Sequence, residues 1–138
     1  MKKTQSPRSL DDIETRKAIS STAVKAFIGI MDTWDASTDE RCAIMGGLSE
    51  ETYQKWTEGK VGTLTQDQLE RIGHILGIHK NLCLLFSEEA GRMRWFKSPN
   101  HDGVFQGKSP YQLIASGKKI NLSNIRAYIK TIMWVQKY

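Results

Sequence analysis

The sequence predicts an all-α protein, and three observations carry that prediction. Apolar residues recur three and four apart through most of the chain, the spacing of one helix face. Helix start signals recur as well: Ser49 before Glu50-Glu51, Thr65 with Gln68, and Ser109-Pro110 with Gln112. No run long enough for a strand alternates apolar and polar residues; Val104-Phe105 is too short to build a sheet. About seven or eight helices are expected, with no internal repeat.

The elements follow in order. Residues 1–12 read as a flexible polar tail. Between Ile13 and Trp34, Ala23, Phe27, Ile30, Met31 and Trp34 fall on one helical stripe, interrupted only by Gly29. A short helix is expected from Thr38 to Met45, with Asp39 and Glu40 in its first turn, where the helix dipole favours acids. The stretch GGLSEETYQKWTEG, residues 46–59, comes next. Gly46-Gly47 permits a sharp turn, and Ser49 caps a helix from Glu50 to Glu58. Leu48 and Tyr53 form a hydrophobic staple, Tyr53 and Trp56 share the buried face, and Gly59 ends the helix. The capping box Thr65–Gln68 opens a helix with Leu69, Ile72, Ile75 and Leu76 inside, stopped by Gly77. A separate helix from Ile78 to Phe86 turns Leu82, Leu85 and Phe86 inward, and a further short one spans Glu88–Phe96. The loop at 98–108 divides the chain into a module at 13–97 and a C-terminal subdomain at 98–138. There, a short helix begins at Ser109-Pro110 and ends at Gly117. The last helix runs from Leu122 to Val135, with Ile125, Tyr128, Ile129, Ile132 and Met133 inward.

Composition narrows the function. The chain has 138 residues, 39% hydrophobic and 25% charged, which suits one compact domain or two small ones sharing a core. The densest apolar run, Leu82–Phe86, falls far short of the roughly 20 residues that span a bilayer. The start MKKTQSPRSLDD has no apolar region behind its lysines, so a cytoplasmic protein without a signal peptide is expected. Cys42 and Cys83 stand apart, as free thiols do in a reducing compartment. His74 and His79 are five apart and miss the spacing that puts two ligands on one helix face. No metal and no cofactor are expected. Charge is unevenly spread: residues 1–89 carry 11 Lys+Arg against 14 Asp+Glu, and residues 90–138 carry 9 against 1. A basic half of this kind recruits nucleic acid or an acidic protein partner.

Ala43, Gly47, Tyr53 and Trp56 have the spacing of a helix-turn-helix, in which two short helices cross closely and bury one face of the second. Its exposed face would present Glu50, Glu51, Gln54, Lys55 and Glu58, with Thr52 partly available. Ser49, Thr52, Gln54, Lys55 and Lys60 are the candidate DNA contacts: Thr52, Gln54 and Lys55 to bases, Lys60 to phosphate. The glutamates oppose phosphates, yet each is worth about 0.3–1 kcal/mol at the positive end of the helix. Both roles stay open to them.

Gly103-Val-Phe-Gln-Gly107-Lys108-Ser109 imitates a phosphate-binding loop, but it has three residues where four are needed and no strand before it. Neither a nucleophile with a histidine partner nor an isolated carboxylate pair is visible, so no enzyme and no small-molecule substrate are expected. At the other end, Arg126, Lys130 and Lys137 interleave with Tyr128, Trp134 and Tyr138. Such residues anchor protein interfaces, and an amphipathic helix with an aromatic, basic tail can dock in a partner's groove.

The segment GVFQGKSPYQLIASGKKINLSNIRAYIKTI resembles the toxin-binding domain of the Xre/MbcA/ParS antitoxin family. The matching elements are Gly107-Lys108-Ser109-Pro110, Ser116-Gly117 and Ile125-Arg126-Ala127-Tyr128-Ile129. LSEETYQKWTEGKVGTLTQDQLERIGHILGIHKNLCLLF is similar to that family's Xre-like helix-turn-helix, and the resemblance spans about residues 20–135. It implies an Xre-like helix-turn-helix module continuous with a small helical toxin-binding subdomain. It also implies the antitoxin of a bacterial type II toxin–antitoxin system. The partner would be a RES-domain toxin that consumes NAD or transfers ADP-ribose, blocked at its active site by the antitoxin's C-terminal region. Arg126, Tyr128, Lys130, Trp134, Lys137 and Tyr138 are the expected toxin contacts. A homodimer that represses its own operon by binding operator DNA is implied too. The alternative is a stand-alone Xre-type transcriptional repressor. One departure stands out: Glu50-Glu51 occupy the place after the helix-opening serine, where family members often carry a basic or small residue.

Overall fold

The computed structural model describes residues 9–137. The first eight residues of the polar tail and Tyr138 lie outside the described residues. Seven α-helices and one short 3-10 turn make up the regular structure, and no strand occurs among the described residues. The helices are α1 (Ile13–Thr33), α2 (Thr38–Ile44), α3 (Glu50–Thr57), α4 (Gln66–Leu85), α5 (Glu89–Lys97), α6 (Pro110–Ala115) and α7 (Lys119–Lys137). The 3-10 turn spans Gly103–Phe105.

The predicted caps close the helices they were expected to open. Ser49 Oγ accepts from the Thr52 amide at 3.1 Å. In the two capping boxes, Thr65 and Gln68 bond reciprocally at 3.1 and 3.0 Å, and Ser109 and Gln112 at 3.0 and 2.9 Å. Each satisfies two of the four amides a helix start leaves unpaired. A further box, Ser37 with Glu40, opens α2. Its backbone hydrogen bond is the main reason the Glu40 carboxyl sits below its ordinary value.

Four of the expected α1 stripe residues, Phe27, Ile30, Met31 and Trp34, are buried, while Ile13 is exposed. Trp34 lies at the meeting point of the two halves. Its ring centroid is 4.6 Å from Phe96, 6.4 Å from Tyr111 in an edge-on contact, and 6.5 Å from His79. A fully buried aromatic of this size contributes about 3 kcal/mol through burial. One hydrophobic cluster runs without a break from Val24 in α1 to Ile129 in α7.

Three expectations are corrected. Residues 66–85 form one helix, not two parted at Gly77. A helical glycine costs only about 1 kcal/mol relative to alanine, which the packing of a long amphipathic helix outweighs. Gly77 is a place of close approach: a Cβ there would lie 2.3 Å from Arg126 Nε on α7. The uninterrupted helix turns Leu76 outward, where it is exposed. The last helix starts at Lys119, three residues before the expected Leu122. The glycine-containing loop ends in the Ser109 cap, as expected, and its 3-10 turn inserts Phe105 into the core.

Polar ties lock α6 and α7 onto the helix-turn-helix. Arg71 of α4 donates to the Ile44 carbonyl at 3.0 Å and the Gly117 carbonyl at 2.9 Å, and pairs with Asp67 at 2.8 Å. Lys119 pairs with Asp67 at 3.0 Å and with Glu70. Tyr111 donates its hydroxyl hydrogen to Glu40 at 2.7 Å. Ser20 accepts from the Leu64 amide at 2.9 Å and Arg16 donates to the Leu64 carbonyl at 3.2 Å, which fixes the link between α3 and α4.

At Gly117 the backbone has φ +86°, and a Cβ would lie 2.6 Å from the Ala43 carbonyl oxygen. Gly117→Ala is therefore expected to destabilise the fold by about 2 kcal/mol or more. Gly73→Ala, in the α4 interior with open space around it, is expected to stabilise it by up to about 1 kcal/mol. Thermal unfolding of the two variants measures both shifts, and equal midpoints would contradict this packing.

Candidate functional site

The helix α3 stands after a tight turn at Gly46-Gly47, with Tyr53 and Trp56 on its buried face. Arg41 of α2 holds that face in place. Its guanidinium donates to the Tyr53 hydroxyl at 2.8 Å and to the Ala36 carbonyl at 2.9 Å, and pairs with Asp32 at 2.9 Å. The one arginine of α2 is thus held by three partners, at the edge of the open cleft that Glu50, Glu51 and Gln54 of α3 also line. Nothing in the periodicity marked it for this role.

The candidate DNA contacts share the exposed side of α3, but acids occupy them. Lys55 pairs with Glu51 at 3.6 Å, and Lys60 with Glu58 at 3.4 Å. Gln54 Nε2 donates to Glu58 at 3.4 Å. Ser49 donates its hydroxyl hydrogen to Thr52 Oγ1 at 2.9 Å while it caps the helix. These surface contacts are weak, each worth about 1 kcal/mol or less. With Glu50, Glu51 and Glu58 against Lys55 and Lys60, the face has no net positive charge.

The candidate partner contacts of α7 separate into two groups. Arg126, Lys130 and Trp134 line one open groove between α7 and α4, of about 370 Å³, together with Gly77, Lys80 and Asn81 of α4. The Arg126 guanidinium lies over Gly77, and its Nη1 is 3.4 Å from His74 Nδ1. Burial, then the charges of Arg126 and Lys119, pushes the His74 imidazole below its ordinary value, so Nδ1 can accept from Arg126. No acidic residue lines the groove, and none of Lys80, Arg126 or Lys130 has an ion-pair partner among the described residues.

Tyr128 faces elsewhere. Its ring stacks on Trp95 at 6.4 Å and meets Phe105 edge-on at 4.7 Å, and its hydroxyl donates to Asp102. That hydrogen bond, then burial, raises the Tyr128 hydroxyl above its ordinary value. Tyr128 fastens the 98–108 loop to α7 and is brought into no contact with the groove. The helix reaches Lys137, and Tyr138 lies outside the described residues. Lys80 was missed in the sequence because it sits on an unremarkable exposed face of α4. Only the α4–α7 pairing brings it beside Lys130.

Among the described residues, no group of three or more His, Cys, Asp or Glu side chains could hold a metal, and no helix is long and apolar enough to cross a membrane.

The contact between Gly77 and Arg126 offers a handle on the groove. Gly77→Ala keeps the helix but takes the space of the guanidinium, the flexible end of a side chain. The expected result is unchanged or slightly raised stability, by up to about 1 kcal/mol, with Arg126 displaced. NMR signals of the Arg126 side chain would move; a drop in stability of several kcal/mol with those signals unmoved would refute this packing.

Comparison with known proteins agrees with this architecture. Residues 15–77, from α1 into the middle of α4, match the antitoxin Xre-like helix-turn-helix domain. The uncharacterized protein y4oB of Sinorhizobium fredii (strain NBRC 101917 / NGR234) is 33% identical over 106 residues, 77% of this chain and 80% of its own length. Helices α1 to α3 and the first half of α4, with the capped, buried-aromatic α3 among them, thus carry an antitoxin Xre-like helix-turn-helix domain, a helical C-terminal region follows it, and the chain belongs to one family with y4oB.

Proposed function

We propose that this protein is the antitoxin of a type II toxin–antitoxin pair, and that its C-terminal region neutralises a RES-domain toxin by docking at the toxin's active site. The observation that carries this reading is the set of unpaired cations beside an exposed tryptophan on the α4–α7 face of an Xre-like antitoxin. Arg126, Lys130 and Trp134 make the contact, with Lys137 and Tyr138, whose side chains lie outside the described residues, as further contacts. Tyr128 acts as a positioning residue that holds α7 against the loop. A homodimer, in the cytoplasm, is part of the same reading.

Operator binding is the second activity, supported by the family of the 15–77 module. Thr52, Gln54 and Lys55 read bases, and Lys60 meets phosphate. The acid-paired face makes this the weaker of the two contacts.

Two experiments test the reading. Deleting residues 134–138 is expected to leave the helical circular dichroism spectrum intact and abolish protection of cells that express the toxin gene adjacent to this one. Continued protection would remove the tail from the site. In a gel-shift assay on the chain's own promoter, Glu51→Gln is expected to tighten binding by up to about tenfold, because it releases Lys55 and removes a repelling charge. Weaker binding would mean that Glu51 itself reads a base, and no specific shift by the unaltered protein, alone or with toxin, would remove the DNA-binding claim.

A further inference from the structure

We infer that the α4–α7 groove recognises an acidic segment of a protein partner, one whose carboxylates are followed by an apolar anchor about one helical turn away. This deepens the antitoxin reading above and rests on it for the partner's identity.

The two walls of the groove are parallel helices. Asp67 and Glu70 meet Lys119 at one end, Gly77 meets Arg126 in the middle, and Lys80 and Asn81 line the groove with Lys130 beyond it. Each wall carries a cation and, one turn later, a large exposed apolar residue. On α4 these are Lys80 and Leu84; on α7 they are Lys130 and Trp134. Residues four apart in a helix are neighbours on one face. Leu84 is 64% exposed and Trp134 is 55% exposed, so each wall ends in partly exposed apolar surface. The groove is therefore polar in a definite direction, basic first and apolar second.

The cations here differ from those nearby. Arg71 and Lys119 are matched to Asp67 and Glu70, and Lys97 lies over the Tyr111 ring at 4.9 Å. Lys80, Arg126 and Lys130 have no acid among the described residues. Unmatched cations around a shallow groove favour carboxylates, and electrostatic complementarity sets both partner choice and encounter rate. A nucleic-acid backbone fits less well. It repeats phosphate after phosphate, whereas both cation rows give way after one turn to Leu84 and Trp134, which gain nothing against phosphate. Trp and Arg are the usual anchors of a protein interface, and Arg126 and Trp134 line the same groove. Lys80 and Leu84 thereby join the site from α4, outside the C-terminal subdomain.

The test titrates the full-length, isotope-labelled protein with three probes separately. They are a soluble amphipathic peptide with glutamates on one helical face and leucines on the other, a short DNA duplex, and inorganic phosphate. The peptide is expected to move the signals of Lys80, Leu84, Lys130 and the Trp134 indole N–H, and to saturate. The paired change Lys80→Glu with Lys130→Glu should weaken it about tenfold or more, and Leu84→Ala should weaken it while leaving the charge intact. Both variants alter exposed side chains, and circular dichroism checks that they fold. A duplex or phosphate that moves the same signals while the peptide does not would overturn the inference, as would a peptide that binds both variants unchanged. Co-expression with the adjacent toxin gene separates the two readings. If the unaltered chain fails to protect, the antitoxin reading fails, and the peptide titration still decides the groove. If it protects and the doubly reversed chain protects equally well, the groove inference fails and the antitoxin reading stands.

Discussion

The guanidinium of Arg71 is the contact on which the arrangement of both halves depends. Ile44 ends α2 and Gly117 follows α6, so their carbonyls belong to helix ends that have no partner within their own helix. Arg71 satisfies both from α4, and Asp67, one turn back, holds the guanidinium in line. Removing it would leave two part-buried carbonyls without a partner, a cost of about 1–3 kcal/mol for each group that water cannot reach. Gly46 belongs to the same device, because a Cβ there would lie 2.9 Å from Arg71 Cζ. The turn of the helix-turn-helix and the turn between α6 and α7 are thus set against one another by a single side chain. Every feature of the α4–α7 groove inherits its placement from that alignment.

The uneven charge of the chain takes on a spatial meaning in this frame. The acids of the N-terminal half are mostly committed: to caps, as with Glu40; to α3 neighbours, as with Glu51 and Glu58; or to the bridge with α7, as with Asp67 and Glu70. Three cations, Lys80, Arg126 and Lys130, meet at the α4–α7 groove, where no acid lines the walls. The acidity of α3 is well explained by local helix chemistry. Glu50 and Glu51 stand in its first turn, where unpaired amides favour them, and Glu51 and Glu58 restrain the lysines on either side. The face that looks most like a DNA reader in outline therefore mixes both signs of charge, whereas the groove holds cations alone.

Local signals were legible wherever the chemistry is local. Ser49, Thr65 and Ser109 announce their helices because a cap needs only a hydroxyl and the next turn. Tyr53 and Trp56 declare their buried face because three residues bring a helix nearly once around. Gly77 misled for the same reason: read locally, a glycine ends a helix, while here it serves a contact with Arg126 that lies far along the chain. Tyr128 was legible as an inward residue, but its partners Trp95, Phe105 and Asp102 come from a loop and a helix whose path no periodicity encodes. Arg41, Arg71 and Lys80 were silent. A charged residue on an amphipathic helix is ordinarily solvated, and only the packing of other helices shows that two of them turn inward and the third borders a groove.

Sharing α4 between the two halves also orders how the molecule comes together. The contacts of the helix-turn-helix, among them Phe27 with Trp56 at 6.5 Å, lie within the first two-thirds of the chain. They can form as soon as α4 has emerged from the ribosome, since short-range contacts close quickly. The other side of α4 has to wait for residues 119–137, which are made later. Until Leu122, Ile125 and Ile129 arrive, that side of α4 is bare apolar surface. A chain stopped or clipped within the 98–108 loop would hold a folded N-terminal module with one sticky flank, a natural target for chaperones and proteases. Only a chain that extends through α7 both hides that flank and presents the groove, so the surface a partner meets reports that α4 has been covered.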